Sequence, residues 1–213
     1  AGRRRVRQLR ASAGDAPLGL GGPRGGVPVA APIAAALRAD LDVIVARKIG
    51  APDQPELGIG AIAADGTVYV DRKLASRLHV DPAMLRRLTA EQRVEAERRE
   101  ALFRAGLPAL EPRGRCVIVV DDGLATGATL RAALRSLKRR GAERLILAVP
   151  VASRRACRQL ESEVDCLICP WQIDRFHAVG QHYDVFDQTS DAEVEDILHR
   201  HRAALQQARA PHC

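Results

Sequence analysis

Val117-Ile-Val-Val-Asp-Asp-Gly-Leu-Ala-Thr-Gly-Ala-Thr-Leu130 is the stretch from which the fold is read. Its opening run of β-branched residues predicts a strand buried on both faces of a parallel sheet. The pattern then breaks to Asp121 and Asp122 and to a loop of small residues, Gly123, Ala125, Thr126, Gly127, Ala128 and Thr129. From Leu130 the apolar positions Leu130, Ala133, Leu134 and Leu137 recur at helical spacing, and Gly141 suits a C-cap. Two adjacent carboxylates therefore lie between the carboxyl end of a strand and the start of a helix. In open α/β sheets that crevice is where ligands bind.

The composition of the loop limits the ligand. A helix N-terminus presents unpaired N–H groups and the positive end of the helix dipole, so it favours an anion. Gly127, Ala125 and Ala128 let the backbone approach a phosphate closely, and Thr126 and Thr129 add hydroxyl donors. Ionised Asp121 and Asp122 can only accept hydrogen bonds, so they suit vicinal hydroxyls or a metal that carries them. A phosphate with a diol a short distance away describes a ribose 5-phosphate.

This run resembles the signature of the type I phosphoribosyltransferases, which bind 5-phosphoribosyl 1-pyrophosphate. The resemblance implies an α/β fold, an open, mostly parallel sheet flanked by helices, with a small hood and a flexible loop. It implies that Asp121 and Asp122 hold the ribose hydroxyls and serve catalysis, and that Ala125, Thr126, Gly127, Ala128 and Thr129 cradle the 5′-phosphate. Pro23-Arg-Gly-Gly-Val-Pro28 falls where that family has its pyrophosphate loop, so Arg24, Gly25 and Gly26 are expected to meet pyrophosphate. Family members often hold a non-proline cis peptide in this loop. Leu41 to Ala46 reads as a second buried strand ending at Arg47-Lys48. By resemblance Lys48 reaches pyrophosphate and Arg47 joins the substrate site; by itself the pair also reads as surface charge at a strand end. Val179-Gly-Gln-His-Tyr-Asp184 resembles the V-G-x-x-x-D of purine-type members. There Val179 and its neighbours would read the acceptor base, and Asp184, with Asp121 and Asp122, would approach Mg2+, mostly through substrate or water. Trp171, Phe176 and Tyr183 suit either stacking on a base or core packing.

The remainder of the chain fits one domain spanning residues 1–213. Aromatic residues make up only 3% of it, so Val, Leu, Ile and Ala must build the core. The net charge is +7, and Lys48, Lys73 and Lys138 are the lysines; the other cations are arginines. Nucleic acid is not the expected partner, because the cations are dispersed and no aromatic residues interleave with them. The five cysteines do not form a secreted disulfide framework, and Cys166-Leu-Ile-Cys169 lacks a second pair at zinc spacing. No run reaches membrane-spanning length. Gly and Pro interrupt any signal-peptide core near the basic start, so a cytoplasmic protein is expected.

Locally, residues 2–12 are read as a basic helix. Asp15 to Gly22 is read as a first strand, although its glycines make poor strand material. Residues 49–70 are read as a flexible loop, irregular over 49–56, followed by a hairpin turning at Asp65-Gly66. Gly58-Ile-Gly-Ala-Ile-Ala63 fits a dinucleotide fingerprint but has no strand leading into it, so that reading is rejected. Residues 82–106 read as charged helix, with Glu95 to Glu100 a solvated face. A strand at 145–149, a helix near 154–162 and a strand at 164–168 follow. Residues 170–187 are the candidate hood, and Ser190 to Glu193 reads as a capping box.

The resemblance covers most of the chain and points to a little-characterised bacterial subfamily of phosphoribosyltransferases. Its substrates would be phosphoribosyl pyrophosphate and a small base, weakly favouring purine salvage, with Mg2+ as cofactor and a homodimer possible. The rival reading is a sensor of the same fold that binds the sugar phosphate or a nucleotide without catalysis. A third is another reaction on a phosphorylated ribose.

Overall fold

The computed structural model describes residues 17–209. The expected basic helix at 2–12, the first residues of the Asp15–Gly22 strand, and Cys213 lie outside them.

The strand read from Val117 onward is β6 (Cys116–Val120), in the middle of a five-stranded parallel sheet. Its neighbours are β1 (Leu18–Gly21) on one side and β7 (Arg144–Ala148) on the other, with β2 (Asp40–Val43) and β9 (Cys166–Ile168) at the edges. The order is β2-β1-β6-β7-β9, so the open, mostly parallel sheet expected from the sequence is the architecture observed. Alternation along β6 fills both faces. Val117 and Val119 pack with Leu130, Ala133, Leu134 and Leu137 of α4 (Ala128–Arg139), the helix predicted after the loop. Ile118 and Val120 pack on the other face with Val27, Ala30 and Ala34 of α1 (Gly26–Leu37) and with Val194 and Leu198 of α6 (Asp191–Arg209). Each such buried large aliphatic side chain contributes about 1.5–3 kcal/mol by leaving water. Gly141 ends α4 as expected: its φ is 83°, and the Ala142 N–H reaches back to the Leu137 carbonyl at 3.0 Å.

The glycines that weaken Leu18–Gly21 as a strand are explained by packing. A Cβ on Gly21 would lie 2.8 Å from Val27 Cα, so only glycine lets α1 lie this close to β1. Close helix-on-sheet packing overrides strand propensity here.

A second sheet is antiparallel, β3 (Ala46–Ala51), β4 (Gln54–Ala63) and β5 (Val68–Val70). The hairpin at Asp65-Gly66 is present, and Gly58–Ala63 is strand rather than a dinucleotide loop. Residues 49–56, expected to be irregular, are instead the end of β3, a turn at 52–53 and the start of β4. Pro52, Pro55 and a bulge at Gly50, where the pairing register shifts, hide the alternation. Ile49 anchors the ribbon in a small core with Ile59 and Ile62. The expected strand 41–46 is likewise divided, β2 ending at Val43 and β3 starting at Ala46.

Two helices follow the antiparallel sheet, α2 (Arg72–Arg77) and the long α3 (Pro82–Arg104). Beyond β7 come β8 (Val151–Ser153), α5 (Arg154–Leu160) and, after β9, β10 (Trp171–Ile173), which pairs with β8. A 3-10 turn at Val179–His182 completes the hood segment. The capping box forms: Ser190 Oγ accepts from the Glu193 N–H at 3.2 Å, and the Glu193 carboxylate accepts from the Ser190 N–H at 2.7 Å. Among the described residues no helix is long and apolar enough to cross a membrane.

One buried ion pair joins the layers. Asp42, 1% exposed, accepts Arg104 Nε at 3.0 and 3.1 Å and the Leu110 N–H at 3.0 Å. Removing one partner of such a pair leaves an uncompensated buried charge, which costs about 3–5 kcal/mol. Arg104→Ala is therefore expected to lower the melting temperature by roughly 6–20 °C, and Asp42→Asn in the same chain to recover part of the loss. Thermal unfolding followed by circular dichroism checks both.

Candidate active site

The six α-helices of the described residues start in two different ways. Side-chain oxygens cap four: Asp71 for α2, Asp81 for α3, Ser153 for α5 and Ser190 for α6. The other two, α1 and α4, start at Gly25 and Gly127 with no side-chain cap. Both follow strands that are neighbours in the parallel sheet, so both open at its carboxyl edge, beside Asp121 and Asp122. The site is thus built from the start of α4, whose first N–H groups carry no cap, and from the turn before α1, set around an acidic pair. In α1 itself Gly26 and Val27 donate to the Gly22 and Arg24 carbonyls at 2.9 and 3.2 Å, and Pro28 has no N–H.

Glycine makes the close approach possible. A Cβ on Gly26 would fall 2.7 Å from the Val120 carbonyl oxygen, and one on Gly25 would collide with the Asp122 carboxylate. The turn before α1 thereby lies directly against the acidic pair. The peptide between Pro23 and Arg24 is cis, within the loop where the resemblance implied a cis bond. The N–H groups of Arg24 and Gly25 have no hydrogen-bond partner among the described residues. On the other side Gly127 takes a φ of 79° to start α4.

The acidic pair is held in an environment hostile to charge. Burial pushes the Asp121 carboxyl up to about 8, the charge of Asp122 adds to the rise, and the Asp122 N–H, 3.0 Å from Asp121 Oδ1, opposes it. Burial also raises Asp122, against the Gly123 N–H and its own. Tyr183 donates its hydroxyl to the Asp122 carbonyl at 2.6 Å, and burial together with the two aspartates pushes its phenol up to about 12.

Three cavities meet at this loop. One of about 170 Å3 is lined by Pro23, Arg47, Arg99, Asp121 and Thr129. A second, about 370 Å3, lies between Arg24, Gly25, Asp122, Tyr183 and Phe186. The third, about 730 Å3, runs from Ala125, Thr126, Ala128 and Thr129 to the β3–β4 ribbon with Lys48. The structure therefore brings Arg24, Gly25, Gly26, Arg47 and the Ala125–Thr129 loop around the acidic pair. Arg24 also reaches Asp191 at 3.6 Å.

Lys48 is placed differently from its neighbour. Consecutive strand residues point to opposite faces, so Arg47 enters the cavity beside Pro23 while Lys48 faces the phosphate loop. There its Nζ is 2.9 Å from Glu56 Oε2. In the hood, Val179 abuts Gly123, where a Cβ would come within 2.6 Å of it. Asp184 is exposed and lines none of the three cavities. Trp171 is 63% exposed on the short β8–β10 ribbon. Phe176 lines the third of these cavities, with its ring 5.3 Å from that of His182.

Sequence reasoning missed Arg99 and Arg155. Arg99 sits on α3, polar enough on most sides for its inward face to be unmarked; it donates to Glu95 at 2.8 Å and lines the cavity with Asp121. Arg155 follows the Ser153 cap and lines the cavity of about 730 Å3. Carboxylate oxygens are the ligand type a hard divalent ion takes, so Asp121 and Asp122 fit Mg2+ in kind. No group of three or more His, Cys, Asp or Glu side chains among the described residues forms a metal cluster. An ion here would draw most ligands from substrate and water, as Mg2+ does in phosphate sites.

The family model described as the phosphoribosyl transferase domain matches residues 20–184. The chain belongs to the phosphoribosyl transferase domain family. A Mycobacterium tuberculosis protein, provisionally named a phosphoribosyl transferase, is 41% identical over 200 residues, covering 94% of this chain and 45% of that protein. The chain thus spans about half the length of the curated relatives it matches. The crystal structure of the Thermus thermophilus protein TT1426 is 37% identical, covers 91% of both chains and superposes with a TM-score of 0.77.

The raised carboxyl of Asp121 has a consequence for the protein without substrate. Its pKa is higher folded than unfolded, so between about 4 and 8 the folded state binds the extra proton. Stability therefore falls as pH rises through that window and levels off above it. Melting temperatures measured from pH ~4.5 to ~8.5 should decline, and Asp121→Asn should flatten the decline and be the more stable protein at the alkaline end. An unchanged pH profile in Asp121→Asn would contradict the assignment.

Proposed function

We propose that this chain transfers ribose 5-phosphate from phosphoribosyl pyrophosphate to a nitrogen of a small base, releasing pyrophosphate. The observation that carries this reading is a pair of aspartates flanked on one side by the uncapped start of α4 and on the other by the free N–H groups of Arg24 and Gly25 before α1. A complementary ligand has two anionic ends and hydroxyls between them, and phosphoribosyl pyrophosphate has that form. Family membership supports the same substrate class.

Each element then has a role. The N-terminus of α4 with Thr126 and Thr129 would hold the 5′-phosphate, where backbone N–H groups and the helix dipole favour an anion. Asp121 and Asp122 would accept the ribose hydroxyls, and those bonds favour the ionised carboxylates that burial by itself disfavours. Arg24, Arg47 and Arg99, with the N–H groups of Arg24 and Gly25, would neutralise pyrophosphate as its charge develops. Lys48, held by Glu56, would join them if the ribbon turns its side chain toward the reacting carbon. Mg2+, when bound, would supply charge neutralisation on the pyrophosphate oxygens. Positive charge building at ribose C1 would be stabilised by the two carboxylates, so the protein's contribution is mainly positioning and electrostatics. A sensor of ribose 5-phosphate alone would need no cations at the pyrophosphate end, so Arg47 and Arg99 argue against that form of the rival reading.

Binding can be tested before the acceptor is known. A ligand that binds only the native state stabilises it by about 2.7 kcal/mol at one hundred times Kd. With roughly 2–4 °C per kcal/mol for a domain of this size, phosphoribosyl pyrophosphate with Mg2+ should raise the melting temperature by roughly 5–11 °C. Ribose 5-phosphate alone should give part of that rise, and Asp121→Asn/Asp122→Asn should lose most of it. No rise in the wild type, or an equal rise in the double variant, would remove the site from consideration.

A further inference from the structure

The cavity beyond the phosphate loop is large for a bare nucleobase. Its volume of about 730 Å3 lies within the range of sites that enclose drug-sized ligands. Its walls are charged, and nearly every charge on them is already answered. Lys48 donates to Glu56 Oε2 at 2.9 Å and to the Glu56 carbonyl at 3.1 Å. Asp71 accepts the Leu74 N–H at 3.0 Å. Asp174 accepts Arg154 Nε at 2.7 Å. Arg131 donates to the Tyr69 hydroxyl at 2.9 Å and to the Gln159 carbonyl at 2.6 Å, and its Nε faces Glu163 at 3.4 Å.

Arg155 is the exception. It lines the same cavity, and among the described residues it has no hydrogen-bond or ion-pair partner. It is exposed in the first turn of α5, a helix whose Ala156 N–H is capped by Ser153. Phe176 supplies an aromatic face in the same cavity. The cavity therefore offers three things: an open phosphate-binding helix end, an aromatic ring, and one unanswered planar cation.

We propose that the acceptor is a planar nitrogen heteroaromatic that carries a carboxylate, its ring against Phe176 and its carboxylate on Arg155. The proposal rests on the phosphoribosyl-transfer reading and names the substrate class of that site. A guanidinium matches a carboxylate in a two-bond fork, stronger and more directional than a neutral contact. A neutral base in the same place would cover the guanidinium without returning a hydrogen-bond acceptor of equal strength. In the reaction the ring nitrogen's electron pair forms the new bond to ribose C1. The bond from C1 to pyrophosphate oxygen breaks, and its electrons leave with pyrophosphate. A proton on the attacking nitrogen, where there is one, goes to solvent. The carboxylate takes no part in bond making; it fixes the ring.

The test uses matched pairs that differ at the carboxylate, nicotinate with nicotinamide and orotate with uracil, titrated calorimetrically into the whole chain holding ribose 5-phosphate and Mg2+. At least one acid is expected to bind about tenfold more tightly than its neutral partner. Arg155→Ala should bring the two members of that pair to within about twofold, and Arg155→Lys should restore part of the preference. Arg158→Ala removes the same charge from an exposed position outside the three cavities and should keep the preference. Neither acid exceeding its partner, or a preference that survives Arg155→Ala, overturns the proposal. If that happens while phosphoribosyl pyrophosphate still stabilises the protein, transfer stands and only the acceptor class falls. If that stabilisation is itself absent, the transfer reading and this proposal fall together.

Discussion

Two carboxylates side by side at the end of one buried strand are the constraint on which this structure turns. Placed there, Asp121 and Asp122 lose solvation, and burial raises both. The fold answers with direction rather than with a fixed cation. In a parallel sheet, every helix that follows a strand begins at the same edge. The neighbours β1 and β6 therefore aim the starts of α1 and α4 at the pair, α4 with uncapped N–H groups and α1 through the free N–H groups of Arg24 and Gly25 in the turn before it. Four other helices of the same chain are capped, so the absence at these two is a local choice of Gly25 and Gly127.

That choice is destabilising at the site and is offset elsewhere. Glycine in place of a side-chain N-cap costs roughly a few tenths of a kcal/mol, and both α1 and α4 start at glycine. The two apolar layers on either face of β6, with Leu18, Ile118, Leu134 and Ile146 all fully buried, supply the stability that the crevice lacks. The Asp42–Arg104 pair ties β2 to the end of α3, the helix whose Arg99 lines the cavity beside Asp121. Function and stability are thereby separated along the chain: apolar alternation inside the strands, and charge and glycine at their carboxyl ends.

The fold is largely legible because its decisive signals are local. Val117–Val120, the acidic pair, the small-residue loop and the period of α4 lie in one continuous stretch, and the rule for crevices in parallel sheets does the rest. The glycines of Leu18–Gly21 mislead, since the close approach of Val27 that requires Gly21 is a contact between elements. Residues 49–56 read as irregular because two prolines and a bulge obscure an alternation that only cross-strand pairing reveals. The site is legible where one loop builds it and opaque where several elements meet. Arg47 and Lys48 read as a pair, yet the strand sends them to different cavities. Arg99 and Arg155 carry no motif; their significance comes from what lies opposite them.

The central claim is that the loop from Ala125 to Thr129 and the acidic pair form one site for a phosphorylated ribose. A crystal structure of the chain soaked with ribose 5-phosphate tests it most directly. The expected result places the phosphate on the N–H groups at the start of α4, with the ribose hydroxyls on Asp121 and Asp122. A phosphate bound at Arg155 or at the turn before α1, with no hydroxyl on either aspartate, would contradict the claim.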